Sequence, residues 1–234
     1  MEAEMQIPLV LTLAVALATV ASAVSAHSLK ELEGMLGDRE KYFQAVDKAA
    51  PEFTLQDAEG RTTSLADFRG KVVVLNFIYA SCPDICPLHA DRIAEIQGLI
   101  NQSPMKTQVQ FISITTDPSK DTSDVLRHYG QAHRLDSANW LFLTTRSDQS
   151  EDATRNLAER FGHRFDKTPG GYQIHSIVTH VIDSQGRWRA SFHGLKFEPT
   201  NLVVFVNALV NDAEKPHGHI APGVWEKIKR LFGS

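Results

Sequence analysis

The segment Lys71 to Tyr79, KVVVLNFIY, is an unbroken apolar run of strand length, rich in β-branched residues. A strand with water on one face alternates apolar and polar side chains. A run without alternation is buried on both faces, as in a parallel sheet covered by helices. Val109 to Thr115, VQFISIT, reads as a second buried strand. Between the two, Ala90 to Ile100 has helical spacing, and Thr122 to His133 is a helix following the turn at Asp117-Pro118. Parallel strands need crossovers of this kind.

The alternation continues with a strand at Trp140 to Leu143 and a helix over Glu151 to Phe161. It closes with a hairpin, Ile177 to Asp183 and Trp188 to His193 joined across Ser184-Gln-Gly-Arg187, and an apolar helix from Pro199 to Asp212. Ahead of it, Phe53 to Gln56 and Thr62 to Leu65 flank Asp57-Ala-Glu-Gly60 as a small hairpin, with Gly60 supplying the turn. The order predicts an α/β, thioredoxin-like fold with an N-terminal hairpin extension: an initial parallel unit followed by an antiparallel hairpin.

Hydrophobic residues make up 42% of the whole chain, enough apolar mass for one core, which is placed in a domain over residues 51–212. Residues 27–50 read as a helical or irregular lead-in outside that core. Residues 213–234 read as a tail whose Val224 to Phe232 is spaced as a short amphipathic helix. A formal charge of -4 leaves no basic excess for a phosphate-binding surface, so nucleic acid is not an expected partner. From Ile7 to Ala26 the chain carries no charge and ends in Val24-Ser25-Ala26. Residues 1–26 therefore predict a secretory signal cut before His27, or a membrane anchor, since about 20 apolar residues span a bilayer. Glu2 and Glu4 stand where a signal usually carries basic residues. Export to the periplasm, with membrane association through this segment, is the expected localisation.

Cys82 and Cys86 are the only cysteines, too few for a disulfide-stapled scaffold. They lie in Ser81-Cys-Pro-Asp-Ile-Cys-Pro87, directly after a buried strand and before a helix. A helix N-terminus lowers thiol pKa, which predicts thiolate character. Cysteines four apart on a helical turn share a face, with Cβ atoms ~5 to 6 Å apart, so they can bind one metal ion or close a disulfide. Two inert core cysteines are the alternative. For a soft ion such as Cu(I), an imidazole completes a thiolate pair, and His175 is the candidate because the loop before the strand at Ile177 lies at the same end of such a sheet. Taken alone, a histidine in that position also fits a structural or surface role.

The run F-I-Y-A-S-C-P-D-I-C-P-L, together with Thr115-Thr-Asp-Pro118, Trp140-Leu-Phe-Leu-Thr144 and H-S-x-x-x-x-x-x-D from His175, closely resembles the Sco/SenC family over roughly Pro51 to Asp212. Thioredoxins place two residues between their cysteines, not three. The resemblance implies a membrane-facing copper protein of thioredoxin fold that helps assemble the dinuclear copper centre of cytochrome c oxidase subunit II. It also implies that Cys82, Cys86 and His175 are copper ligands. The implied partner is that subunit or a periplasmic copper chaperone. The family commonly has an acidic residue before the ligand histidine, and this chain has Ile174, which removes a neighbouring charge that could tune copper affinity. Asp84 between the cysteines adds local negative charge.

Among the other histidines, His217 and His219 flank one glycine in the tail, and His27 would become a chelating N-terminus after cleavage. His180 reads as a packed sheet residue, and His89, His128, His133, His163 and His193 show no convergent spacing. Two functions compete. A copper carrier uses Cys82, Cys86 and His175 and is not a catalyst. A thiol:disulfide oxidoreductase that reduces the oxidase's copper-site cysteines uses Cys82 and Cys86 as a redox pair and does not need His175. A peroxide-reducing enzyme ranks last, because no residue supports its active-site pattern.

Overall fold

The structure, a computed structural model, describes residues 29–82, 85–168, 171–174 and 176–214. The expected signal or anchor at 1–26, the tail helix, and His27, His217 and His219 lie outside the described residues. Among the described residues, no helix is long and apolar enough to cross a membrane.

Helix α1 (Leu29–Arg39) leads into β1 (Phe43–Ala49), and β2 (Thr54–Asp57) and β3 (Thr62–Ser64) form the expected hairpin, with Gly60 at a φ of 81° in its turn. The central strands are β4 (Val72–Ile78) and β5 (Val109–Thr115), every residue of both buried. They pair in parallel from Val72 opposite Val109 to Ile78 opposite Thr115, with α2 (Ile85–Asn101) as the crossover. Helix α3 (Ser123–Ala132) then leads to β6 (Trp140–Thr144), again parallel to β5. The Thr122 hydroxyl accepts the Val125 N–H and fixes where α3 starts.

After α4 (Ala153–Arg160), β7 (Phe165–Thr168) and β8 (Gly171–Ile174) make a separate two-stranded hairpin that the sequence pattern does not assign. Strands β9 (Val178–Ile182) and β10 (Arg187–His193) return antiparallel to β4 and to each other, and α5 (Pro199–Glu214) closes the fold. The eight-stranded sheet runs β1-β10-β9-β4-β5-β6-β2-β3.

Alternation along the strands divides the core. Val72 and Val74 pack with Val109 and Phe111 against Ile93, Ile96 and Ile100 of α2 and Leu202, Phe205 and Leu209 of α5. Val73, Leu75 and Phe77 face the other way, with Ile112 and Ile114, onto Leu157 and Phe161 beside α4 and Phe53 and Leu55 of the extension. Each fully buried aliphatic side chain contributes about 2 kcal/mol of transfer free energy to this closure.

The expectation that residues 27–50 stay outside the core is corrected for the described part of that segment. Leu36 and Phe43 are core residues, and Phe43 meets Phe192 and Phe205 edge-on at 5.3 and 5.4 Å. β1 pairs with β10 as the edge of the sheet. Glu40, between α1 and β1, holds the junction to α5: its Oε2 accepts the Glu198 N–H at 3.0 Å and the Asn201 Nδ2–H at 2.8 Å. An edge strand with one buried side chain offers little periodicity to read.

Candidate metal and thiol site

Strand β4 delivers the chain to the cysteines at the C-terminal end of the parallel strands. The Cys82 N–H donates to the Tyr79 carbonyl at 3.2 Å, a tight turn directly after the strand. Helix α2 begins at Ile85, five residues before the patterned stretch, because Pro87 sits in its first turn where the missing N–H costs no helical bond. Cys86 is thus a first-turn residue, and its N–H donates to the Cys82 Sγ at 3.4 Å. A thiol here does what a capping oxygen does elsewhere, accepting one of the helix's orphan donors. The two sulfurs are not joined in a disulfide.

Both cysteines are buried, Cys82 at 5% and Cys86 at 0% exposure. The expected thiolate character is corrected for Cys86. Burial pushes its thiol up to about 12, with the neighbouring Cys82 and the Asp121 carboxyl adding to the rise and a backbone hydrogen bond at Tyr79 opposing it. Desolvation of the charged form outweighs the helix terminus here. Burial, and then a hydrogen bond to Cys82, likewise raises the Tyr79 phenol. From α3, the Tyr129 hydroxyl donates to the Cys86 carbonyl at 2.8 Å and ties the two helices together beside the thiols.

Asp121, in the turn before α3, is a site residue that sequence reasoning missed. Its Oδ2 accepts the Ala80 N–H at 2.9 Å and the Thr115 hydroxyl at 2.5 Å, so it joins the root of the cysteine turn to the end of β5. Burial raises its carboxyl above the usual range. The available signal was an acid four residues after Asp117, in a turn following a buried strand.

His175, Pro83 and Asp84 lie outside the described residues, as does the side chain of Ile174. Among the described residues, no three His, Cys, Asp or Glu side chains are grouped to hold a metal ion. Histidines without convergent spacing in the chain nevertheless converge in space. His163 and His180 meet at their Nε2 atoms, His163 Nδ1 reaches the Ser176 hydroxyl at 3.1 Å, and His180 Nδ1 reaches the Ser191 hydroxyl at 3.1 Å. His89, on the sheet-facing side of α2, reaches the Thr179 hydroxyl at 2.9 Å. His180 is the packed sheet residue that its position implied.

A family model described as SCO1/SenC matches residues 43–211. The SCO2-like protein RC0895 of Rickettsia conorii is 26% identical over 181 residues, covering 76% of this chain and 85% of the relative. Among solved structures, one of BsSco, described as identifying a disulfide switch in a member of the Sco family of cytochrome c oxidase assembly proteins, aligns with a TM-score of 0.63 at 22% identity, over 72% of this chain and 96% of the other. Bradyrhizobium japonicum ScoI with copper bound aligns with a TM-score of 0.58 at 21% identity, over 69% and 99%. The expected thioredoxin-like architecture is borne out by these likenesses of fold.

Proposed function

Since the chain belongs to the SCO1/SenC family, we propose that it carries copper as cargo on Cys82 and Cys86, with His175 as third ligand, for the assembly of the dinuclear copper centre of a cytochrome c oxidase. The observation that carries this reading is the approach of the Cys86 N–H to the Cys82 Sγ, which keeps two soft sulfur donors in one strand-to-helix turn. The copper-bound ScoI structure supports it. Copper must displace the thiol protons to bind, so loading depends on pH. In this reading residues 1–26 export or anchor the domain on the periplasmic side, where oxidase subunit II or a periplasmic copper chaperone is the partner.

Anaerobic competition titration with a Cu(I) chelator tests it on wild type, Cys82→Ser, Cys86→Ser and His175→Ala. One tightly held Cu(I) per chain, lost in both serine variants and weakened in His175→Ala, is the expected result. Affinity unchanged by Cys82→Ser sinks the carrier reading, and affinity unchanged by His175→Ala removes that residue from the site.

A second reading, a thiol:disulfide oxidoreductase acting on the oxidase's copper-site cysteines, is favoured by the same closeness of Cys86 to Cys82 and by the disulfide switch described for BsSco. It requires both cysteines and leaves the reduction potential of His175→Ala at the wild-type value.

A further inference from the structure

The buried imidazoles of His163 and His180 belong to one hydrogen-bond chain whose direction the structure fixes. At one end the Trp188 indole N–H, which can only donate, reaches the Ala190 carbonyl at 2.9 Å and the Ser191 hydroxyl oxygen at 3.2 Å. The Ser191 oxygen accepts there, so its own proton goes to His180 Nδ1, 3.1 Å away. A neutral ring whose Nδ1 accepts carries its proton on Nε2, and His180 Nε2 donates to His163 Nε2 at 2.9 Å. By the same rule His163 carries its proton on Nδ1, and that nitrogen meets the Ser176 hydroxyl at 3.1 Å. Burial lowers the His163 ring, and a hydrogen bond to the Ser176 backbone opposes the lowering, as an accepting carbonyl does. The chain therefore runs from Trp188 through Ser191, His180 and His163 to Ser176.

Phe77, Phe161 and Trp188 pack around the two rings, which are 3% exposed at His163 and 1% at His180. Two apolar side chains would fill that space without the cost of desolvating imidazoles. What the imidazoles add is a rigid, directed tie, and its far end is Ser176, the residue after His175. We propose that His163 is a positioning residue for the copper site: clamped by His180, it holds the backbone at Ser176 and so restrains the segment from which His175 reaches the metal. The inference rests on the reading of His175 as third copper ligand. A restrained segment has less freedom to lose when copper binds, so His163 raises the affinity without touching the ion.

Anaerobic Cu(I) competition titration of the full chain tests this. His163→Gln places an amide near the former Nε2, towards His180, and forfeits the tie to Ser176; His163→Asn places one near the former Nδ1 and keeps that tie. The glutamine variant binds Cu(I) about tenfold more weakly than wild type, and the asparagine variant recovers most of the loss. In a His175→Ala background the glutamine substitution makes no further difference, because no ligand is left to position. An affinity unchanged by His163→Gln where His175→Ala weakens binding overturns the proposal alone, and so does a loss of equal size in both backgrounds. An affinity unchanged by His175→Ala overturns that ligand assignment and the proposal together. Long-range proton–nitrogen NMR of wild type decides even where a variant does not fold. A proton on Nδ1 of His163 and on Nε2 of His180 is expected, and the opposite pair of tautomers overturns the proposal.

Discussion

His163 and His180 face each other through their Nε2 atoms at 2.9 Å, so one ring donates and the other accepts, a contact possible only while at least one of them is neutral. Phe77, Phe161 and Trp188 surround the pair with aromatic rings.

Acid should therefore destabilise the fold before its carboxylates titrate. Burial holds His163 at about 4, His89 at about 3 and His180 well below its ordinary value, whereas an unfolded histidine titrates near about 6.5. Between these limits the unfolded chain binds more protons, so stability rises with pH and is lost as pH falls from about 6.5 towards about 4. Each histidine contributes up to about 1.4 kcal/mol per pH unit. Urea unfolding at several pH values checks this, and a stability that is flat across the window contradicts it.

Cys86 should resist alkylation in the folded protein. With the thiol pushed up to about 12, its thiolate fraction at mildly alkaline pH is about a thousandfold below that of an ordinary cysteine. Iodoacetamide labelling of Cys82→Ser, read by mass spectrometry with and without urea, isolates the buried thiol. Equal rates in the two conditions would show that the turn opens freely.

Tyr129→Phe removes the hydroxyl that donates to the Cys86 carbonyl. The loss is about 1 kcal/mol, or about 2–4 °C in Tm for a chain of this size. Scanning calorimetry measures it, and an unchanged Tm would show that the bond adds nothing to holding the first turn of α2.

Glu40→Ala strands the Glu198 N–H and the Asn201 amide at the start of α5. A cost of about 2–4 kcal/mol is expected, with Glu40→Gln losing less because its amide oxygen still accepts. Denaturant titration of both variants tests whether the N-terminal unit is docked as firmly as its core contacts imply.

β4 and β5 were legible because burial on both faces leaves a run that no surface strand shows, and the α3 start was legible within one residue because the helical pattern follows the turn at Asp117-Pro118. β1 was not, since beyond Phe43 it buries almost nothing. At the site, the spacing of Cys82 and Cys86 announced shared chemistry but not its environment. Desolvation depends on what packs over a turn, so the high Cys86 thiol and the part played by Asp121 appear only once β5 and α3 are in place. His163 and His180 come from different elements, and no single-helix or single-strand period links them.

The two margins of the sheet differ in construction. On one, β3 has three residues, too few to template another strand. On the other, β1 shifts register between Ala45 and Lys48, Asp47 is ion-paired to Arg187, and the Lys48 ammonium lies over the Trp188 ring at 4.5 Å. A kinked, charged margin is a poor surface for a neighbouring polypeptide to extend by backbone pairing. The segment joined to β10 thus guards against edge-to-edge aggregation, and a chain shortened through Ala49 would expose β10, with Ala190, Ser191 and Phe192 buried in the fold, as a sticky border.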